Sequence, residues 1–149
     1  MKVYVGPYPS HSKWHNIIGY QPEQKISVKI DSWDTWSMDE TLAHIVLPML
    51  EQLKEKTHGY PNGLTEKKWD AILDEMIFAF RSKTFDWQNE FTSGEWDVYL
   101  TEVAGSDNME MNYGDKHTYK IDKESVDKVQ KRITKGFKLF GQYYENLWD

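Results

Sequence analysis

Two glycines, Gly136 and Gly141, lie inside an aromatic-rich helical pattern in the segment 132–149, which reads RITKGFKLFGQYYENLWD. A glycine in a helix interior costs about 1 kcal/mol relative to alanine. The usual reason to accept this cost is that another backbone or a large ring approaches closely at that position. We therefore expect the last helix to pack tightly against a neighbour. We also expect it to continue to Trp148, with the indole packed down, because a frayed end would leave the ring in water.

Periodic apolar residues predict two more helices before this one. The first is expected to begin at Ser37, which forms a capping box with Glu40, and to be kinked at Pro48. The second is expected to begin at Thr65, and the last helix at Asp122. The expected buried faces of the three helices are Leu42, Ile45, Val46, Met49 and Leu53; Trp69, Ile72, Leu73, Met76, Ile77 and Phe80; and Val126, Val129, Ile133, Phe137, Phe140, Tyr144 and Leu147.

Alternating apolar residues predict strands at 2–5, 25–30 and 96–103, and a shorter strand at 117–121. The segment 104–116 is expected to be a polar loop that could become ordered on binding.

The order of these elements predicts an α+β fold, because strands and helices are not regularly alternated. Three main helices form a helical core, and about four short strands form a small antiparallel sheet. The stretch 84–94 shows no clear period and is left without an element. At 149 residues, the chain is expected to fold as a single domain, 1–149.

Composition excludes several classes of function. The chain has no cysteine, which excludes a disulfide framework, thiolate catalysis and Cys-ligated zinc. No apolar run approaches the roughly 20 residues of a membrane span, and the N-terminal sequence lacks the layout of a signal peptide. A formal net charge of −6 argues against binding to duplex nucleic acid, which normally requires a basic face. We therefore expect a cytoplasmic protein without a membrane or duplex partner.

Aromatic residues make up 15% of the chain, including seven Trp and nine Tyr. This excess predicts either a core of large side chains or a stacking platform for a flat ligand such as a nucleobase. For the second reading, arginine and lysine side chains would add phosphate contacts. The residues expected to form such an aromatic and basic site are Trp14, His15, Trp33, Trp36, Arg81, Lys83, Tyr113, Arg132 and Lys138.

Carboxylates on adjacent helices are the alternative site. Asp70, Asp74 and Glu75 are of the type with which helical, magnesium-dependent nucleotide hydrolases hold their metal, since hard cations take oxygen ligands. Apolar neighbours surround Glu75, however, so pairing with Arg81 or Arg132 is the competing explanation. No glycine-flanked nucleophile and no phosphate-binding loop is present in the sequence.

Three blocks read together resemble a family of small uncharacterised proteins encoded by tailed bacteriophages. The blocks are WSMDETLAHIVLPML at 36–50, WDAILDEMIFAF at 69–80, and the ending at 132–149. The opening VYVGPY at 3–8 is similar to the start of that family as well. The sequence departs from the family at 59–65, which is a short turn where many similar proteins carry a longer acidic insertion. The resemblance implies a phage protein acting in an infected bacterium, and it brings no catalytic residues.

The expected function is therefore binding without catalysis or a cofactor. The ligand expected is small and nucleotide-like, a signal made by a bacterial anti-phage defence system, which the protein would sequester in the cytoplasm of the infected host. Two alternatives stay open: a metal-dependent nucleotide hydrolase using the helix carboxylates, and an inhibitor that binds a host protein. Any of the three is compatible with a homo-oligomer.

Overall fold

The computed structural model describes residues 2–5 and 26–148. The backbone divides into two compact units, 1–42 and 43–149. The expectation of one domain over 1–149 stays a prediction.

The first unit contains a two-stranded antiparallel ribbon and a short helix. Strand β1 (Lys2–Val5) pairs with β2 (Ile26–Lys29), and helix α1 (Ser32–Trp36) follows. Asp31 caps this helix: its side chain accepts a hydrogen bond from the Trp33 N–H at 3.2 Å, and its own N–H donates to Asp34 at 2.7 Å. The capping box therefore lies one helix earlier than the one predicted at Ser37.

Helix α2 (Met38–Lys56) continues through Pro48, and its buried face agrees with the predicted one only in part. Val46 and Leu53 pack against the core as predicted. Ala43 and Leu50 are buried, whereas Leu42 and Met49, predicted to face the core, are exposed. Two neighbouring stripes on this helix are both apolar, so periodicity alone could not choose between them. The stripe that is used contains the small Ala43, which has no exposed surface at all.

Helix α3 (Glu66–Arg81) is the central helix of the second unit, and its predicted face is confirmed. Thr65 caps it by accepting a hydrogen bond from the Lys68 N–H. Leu73 and Met76 are completely buried. The remaining members of the predicted face are buried or half-buried: Trp69, Ile72, Ile77 and Phe80.

Helix α4 (Lys123–Gln142) is capped by Asp122 as predicted, and it crosses α3 at Gly136. A Cβ atom on Gly136 would lie 2.2 Å from the Glu75 carbonyl oxygen and 2.5 Å from the Ala79 Cβ. The close backbone approach predicted from this glycine is therefore confirmed.

The same explanation is wrong for Gly141, because a Cβ atom there would meet nothing within 4 Å. The helix also ends earlier than predicted, at Gln142, and a 3-10 helix (Tyr144–Asn146) follows. Trp148 is 71% exposed, so the expectation that its indole packs down is wrong. With α4 ending at Gln142, the last aromatic residues no longer follow the helical period that would have placed them on the core side.

The rest of the second unit consists of short strands around a 3-10 helix (Trp87–Phe91). Strand β3 (Thr92–Ser93) pairs with β6 (Lys120–Ile121), and β4 (Val98–Glu102) pairs with β5 (Met109–Tyr113).

The fold is thus α+β with three main helices, as predicted, although the strands form three separate two-stranded antiparallel ribbons in the described residues instead of one sheet. Strand β5 lies in the segment predicted to be a loop. Its alternation of Met109, Met111 and Tyr113 is a strand signal that the surrounding polar residues obscured.

Candidate functional site

A groove of 640 Å³ lies on the second unit, between α2, α3 and α4. Ile77 and Phe78 of α3 form its apolar part. Its charged lining comes from all three helices and consists of Glu51, Lys54, Glu55, Asp74, Arg81 and Arg132. Two of the predicted site residues, Arg81 and Arg132, therefore line the same groove although they are far apart in the sequence.

Ion pairs hold the charged side chains of this groove in place. Arg81 donates from Nη2 to Glu51 Oε1 at 2.7 Å, and Lys54 forms an ion pair with Asp74. All four side chains are partly exposed, so each pair contributes at most about 1 kcal/mol to stability. The pairs matter more because they restrict where the two cationic groups can lie.

Arg132 is positioned by a carboxylate and by an aromatic ring. Its Nε lies 3.3 and 3.4 Å from the two carboxylate oxygens of Glu75, and its guanidinium carbon lies 3.7 Å from the centroid of the Phe78 ring. Lys135 is also near Glu75, at 3.7 Å. The pairing of Glu75 with Arg132, one of the two partners predicted for it, is confirmed. Glu75 accepts hydrogen bonds from Nε of Arg132, so within the described part of the chain the two terminal nitrogens retain donors for an anion.

An apolar pocket of 140 Å³ adjoins the groove. Phe78 and Arg81 line both spaces. The pocket is completed mainly by aromatic residues from the segment after α3, namely Phe85, Trp87 and Phe91, together with Val129 of α4. Trp87 and Phe91 pack edge to face with their ring centroids 6.2 Å apart. The protein thus places an aromatic surface, suited to a flat ligand group, next to the cationic side chain of Arg81.

Sequence reasoning missed the aromatic half of this site. Residues 84–94 show neither a helical nor a strand period, so no element was predicted there. The available signal was the density of aromatic residues, since Phe85, Trp87 and Phe91 fall within seven positions. The 3-10 helix turns two of these rings toward each other.

A further pocket of 380 Å³ contains aromatic residues but no charged side chain. Tyr60, Trp69 and Trp148 line it together with Asn62 and Asn146. It provides no cation for a phosphate group, so it fits the predicted ligand less well than the groove.

The other predicted site residues of the second unit lie apart from the groove lining. Lys83 is in the turn after α3, and Lys138 is exposed on α4 beyond Arg132. Tyr113 is on β5, where its ring packs on His117 at a centroid distance of 4.6 Å. Of the predicted residues in this unit, the structure therefore brings together Arg81 and Arg132.

The remaining predicted aromatic residues cannot be assigned to the groove. Trp33 and Trp36 belong to the first unit, where they lie on α1 with ring centroids 6.1 Å apart. They are 76% and 82% exposed. Trp14 and His15 lie outside the described residues.

Asp70, Asp74 and Glu75, the residues of the alternative metal site, do not lie together as a set of metal ligands. Among the described residues, no group of three or more His, Asp or Glu side chains is placed to hold a metal ion. Asp74 is paired with Lys54, and Glu75 with Arg132. The physical reason is that successive residues of an α-helix point about 100° apart, so Asp74 and Glu75 face different neighbours. Asp70 lies one turn before Asp74 on the same side of the helix, but Glu75 points elsewhere, so the three carboxylates do not converge.

Comparison with family models, with curated proteins and with solved structures gave no match. Within the described part of the chain, no helix has the length and apolar character needed to cross a membrane.

Proposed function

We propose that this protein is a non-enzymatic binding protein that sequesters a small nucleotide-derived ligand in the groove between α2, α3 and α4. The observation that carries the proposal is the shared wall formed by Phe78 and Arg81, which line both the charged groove and the aromatic pocket. A base placed in the pocket would stack on the Trp87 ring. Its phosphate would then lie on the side of the groove, where Arg81 and Arg132 are. Stacking of this kind contributes roughly 1–3 kcal/mol per base.

The charge balance of the groove restricts the ligand. Its lining contains three acidic and three basic side chains, and Glu90 lines the adjoining pocket, so the two spaces together carry a formal charge of −1. A groove of this kind has no excess of cations for a triphosphate. It suits a ligand with one or two negative charges, such as a nucleoside monophosphate or a cyclic dinucleotide. Glu51 and Glu75 support the binding of such a ligand by holding the arginines in position before it arrives, which lowers the entropy cost of binding.

The biological setting of the proposal comes from the three sequence blocks that resemble tailed-phage proteins. A phage protein that retains an intact nucleotide signal would prevent a bacterial defence system from responding, and it would act in the cytoplasm of the infected cell. Hydrolysis by Asp74 and Glu75 is not favoured by any observation, since both carboxylates are engaged by cations.

The experiment is a thermal-shift screen of linear and cyclic mono- and dinucleotides, with Mg²⁺ and in parallel with EDTA, followed by chromatography of the ligand after release. A ligand at a thousand times its dissociation constant adds about 4 kcal/mol. For a chain of this length, that raises the melting temperature by roughly 8–16 °C. Recovery of the intact ligand supports sequestration, and recovery of a cleaved product contradicts it.

Variants locate the binding site. Arg132→Ala and Trp87→Ala should each weaken binding by about 10- to 100-fold, because each removes roughly 1.5–3 kcal/mol of charged hydrogen bonding or stacking. Lys128→Ala is the matched control, since Lys128 is an exposed cation on the same helix and pairs with Glu124. Equal weakening in the control would show that general charge, not the groove, determines affinity.

A further inference from the structure

The ribbon formed by β4 and β5 has one apolar and one polar face. Opposed residues of an antiparallel pair lie on the same side of the ribbon, and the register pairs Leu100 with Met111 and Val98 with Tyr113. Met109 lies on the same side, opposite Glu102, which is the one charged residue of this face and lies at its turn end. The opposite face carries Tyr99, Thr101, Glu110 and Asn112, and the Asn112 amide donates to the Thr101 hydroxyl at 2.8 Å.

Most of the apolar face is left uncovered by the unit to which it belongs, although one side of the Tyr113 ring packs on His117. Leu100 is 60% exposed, Met109 54%, Met111 49% and Tyr113 60%. An antiparallel ribbon normally turns its apolar face toward a core, and an isolated two-stranded ribbon is marginally stable in water. Methionine and tyrosine are also the residue types that recur in adaptable binding surfaces.

The charge of the surrounding segment indicates what could cover this face. Residues 94–115 contain six acidic side chains and no Lys, Arg or His. The rest of the chain has equal numbers of acidic residues and of Lys plus Arg, so the whole formal net charge of −6 belongs to this segment. Glu102 and Asp107 lie toward the turn of the ribbon, and Asp97 and Asp115 toward its open end.

We infer that the apolar face of the β4–β5 ribbon docks on a protein whose surface is basic around an apolar centre, as nucleic-acid-binding surfaces are. The acidic residues at both ends of the ribbon would then face cations, while Leu100, Met111 and Tyr113 occupy the apolar centre. Such complementarity raises the association rate and selects the partner. A second copy of this chain is a poor occupant, because it would bring two equally acidic ribbons together. Nucleic acid is excluded for the same reason.

The proposal is independent of the nucleotide site, because the ribbon shares no lining residue with the groove. Loss of ribbon binding therefore leaves nucleotide binding unchanged, and the two proposals can fail separately.

The test uses the full chain with the photo-crosslinker benzoylphenylalanine in place of Met111, expressed in a bacterial host. A second form carries the crosslinker in place of Lys128, on α4, as the control position. The expected result is a crosslinked protein specific to position 111 that is basic and that binds nucleic acid. Crosslinking to a second copy of the chain, to an acidic protein, or equally from both positions would overturn the proposal.

The purified captured protein then allows two matched variants to be compared by calorimetry. Met111→Arg places a cation on the apolar face and should weaken binding by at least 10-fold. Tyr99→Arg makes the same change in charge on the opposite face of the same ribbon and should alter the affinity by less than 3-fold. Thermal melting confirms that both variants fold, since both side chains are exposed. Duplex DNA should compete with this chain for the partner, and equal weakening by the two variants would contradict the assignment of the face.

Discussion

Replacing Gly136 by alanine should separate α3 from α4, and replacing Gly141 by alanine should not. The new Cβ atom at position 136 would lie 2.2 Å from the Glu75 carbonyl oxygen, far inside ordinary contact, and 2.5 Å from the Ala79 Cβ. Neither atom is the end of a flexible side chain, so the helices themselves must move. Overpacking costs about 1–3 kcal/mol and sometimes more, and two rigid contacts place this substitution at or above the upper end of that range.

The helix propensity of alanine offsets about 1 kcal/mol of this cost. The net destabilisation expected for Gly136→Ala is therefore about 2 kcal/mol, which lowers the melting temperature by about 4–8 °C. At Gly141 the propensity gain is unopposed, because a Cβ atom there meets nothing within 4 Å. Gly141→Ala should stabilise the chain by about 0.4–1 kcal/mol and raise the melting temperature by about 1–4 °C.

The assay is denaturant unfolding of both variants and the parent, followed by circular dichroism and confirmed by thermal melting. A Gly136→Ala protein as stable as the parent would refute the close approach of α3 and α4. A loss of stability in Gly141→Ala would refute the reasoning about open space.

Three further predictions concern the groove, a helix cap and the core. Arg132→Lys retains the charge but loses the planar group on Phe78, so nucleotide binding should weaken by about 10-fold in calorimetry while the melting temperature changes little. Hydrogen bonds from the Ser125 side chain and backbone hold the pKa of Asp122 below its ordinary value of 3.8. Because this pKa is lower in the folded chain than in the unfolded chain, the ionised carboxylate stabilises the fold above pH 3.8. That stabilisation is lost as the pH falls through the pKa of the folded chain. Asp122→Asn can still cap the helix, and its stability, measured by denaturation from pH 7 to pH 3, should therefore decline less in acid than that of the parent. Leu73→Ala removes a fully buried side chain and should cost about 3–5 kcal/mol of unfolding free energy, whereas a loss below 1 kcal/mol would contradict its place in the core.

Sequence periodicity was sufficient to predict the buried face of a helix where one stripe of that helix was clearly more apolar than its neighbours. This was true of α3, where the face from Trp69 to Phe80 was predicted correctly. Gly136 correctly indicated a close neighbour, but the same signal at Gly141 was wrong, so a glycine in a helical pattern does not by itself establish a close approach. On α2 two adjacent stripes were equally apolar, and the choice of Ala43 over Leu42 depended on contacts that local sequence does not contain.

The candidate site could be predicted only in part for a related reason. Arg81 and Arg132 were singled out as cations suited to phosphate, and the packing of α3 on α4 places both on one groove. The aromatic partner of these cations had to come from a segment near them in space. Trp87 follows α3 closely in the chain, but its position depends on an irregular turn that has no periodic signal. The aromatic residues of α1 were more conspicuous in the sequence, yet they belong to the other unit.

The most direct test of the central claim is fluorine NMR of the chain labelled with 5-fluorotryptophan, titrated with the nucleotide that gives the largest thermal shift. The Trp87 resonance is assigned as the one that disappears in Trp87→Phe, and the Trp148 resonance is assigned in the same way. The account predicts that the Trp87 resonance shifts and saturates with the ligand while the Trp148 resonance stays in place. A shift of the Trp148 resonance alone, or no shift of the Trp87 resonance at saturating ligand, would contradict a nucleotide site in the groove.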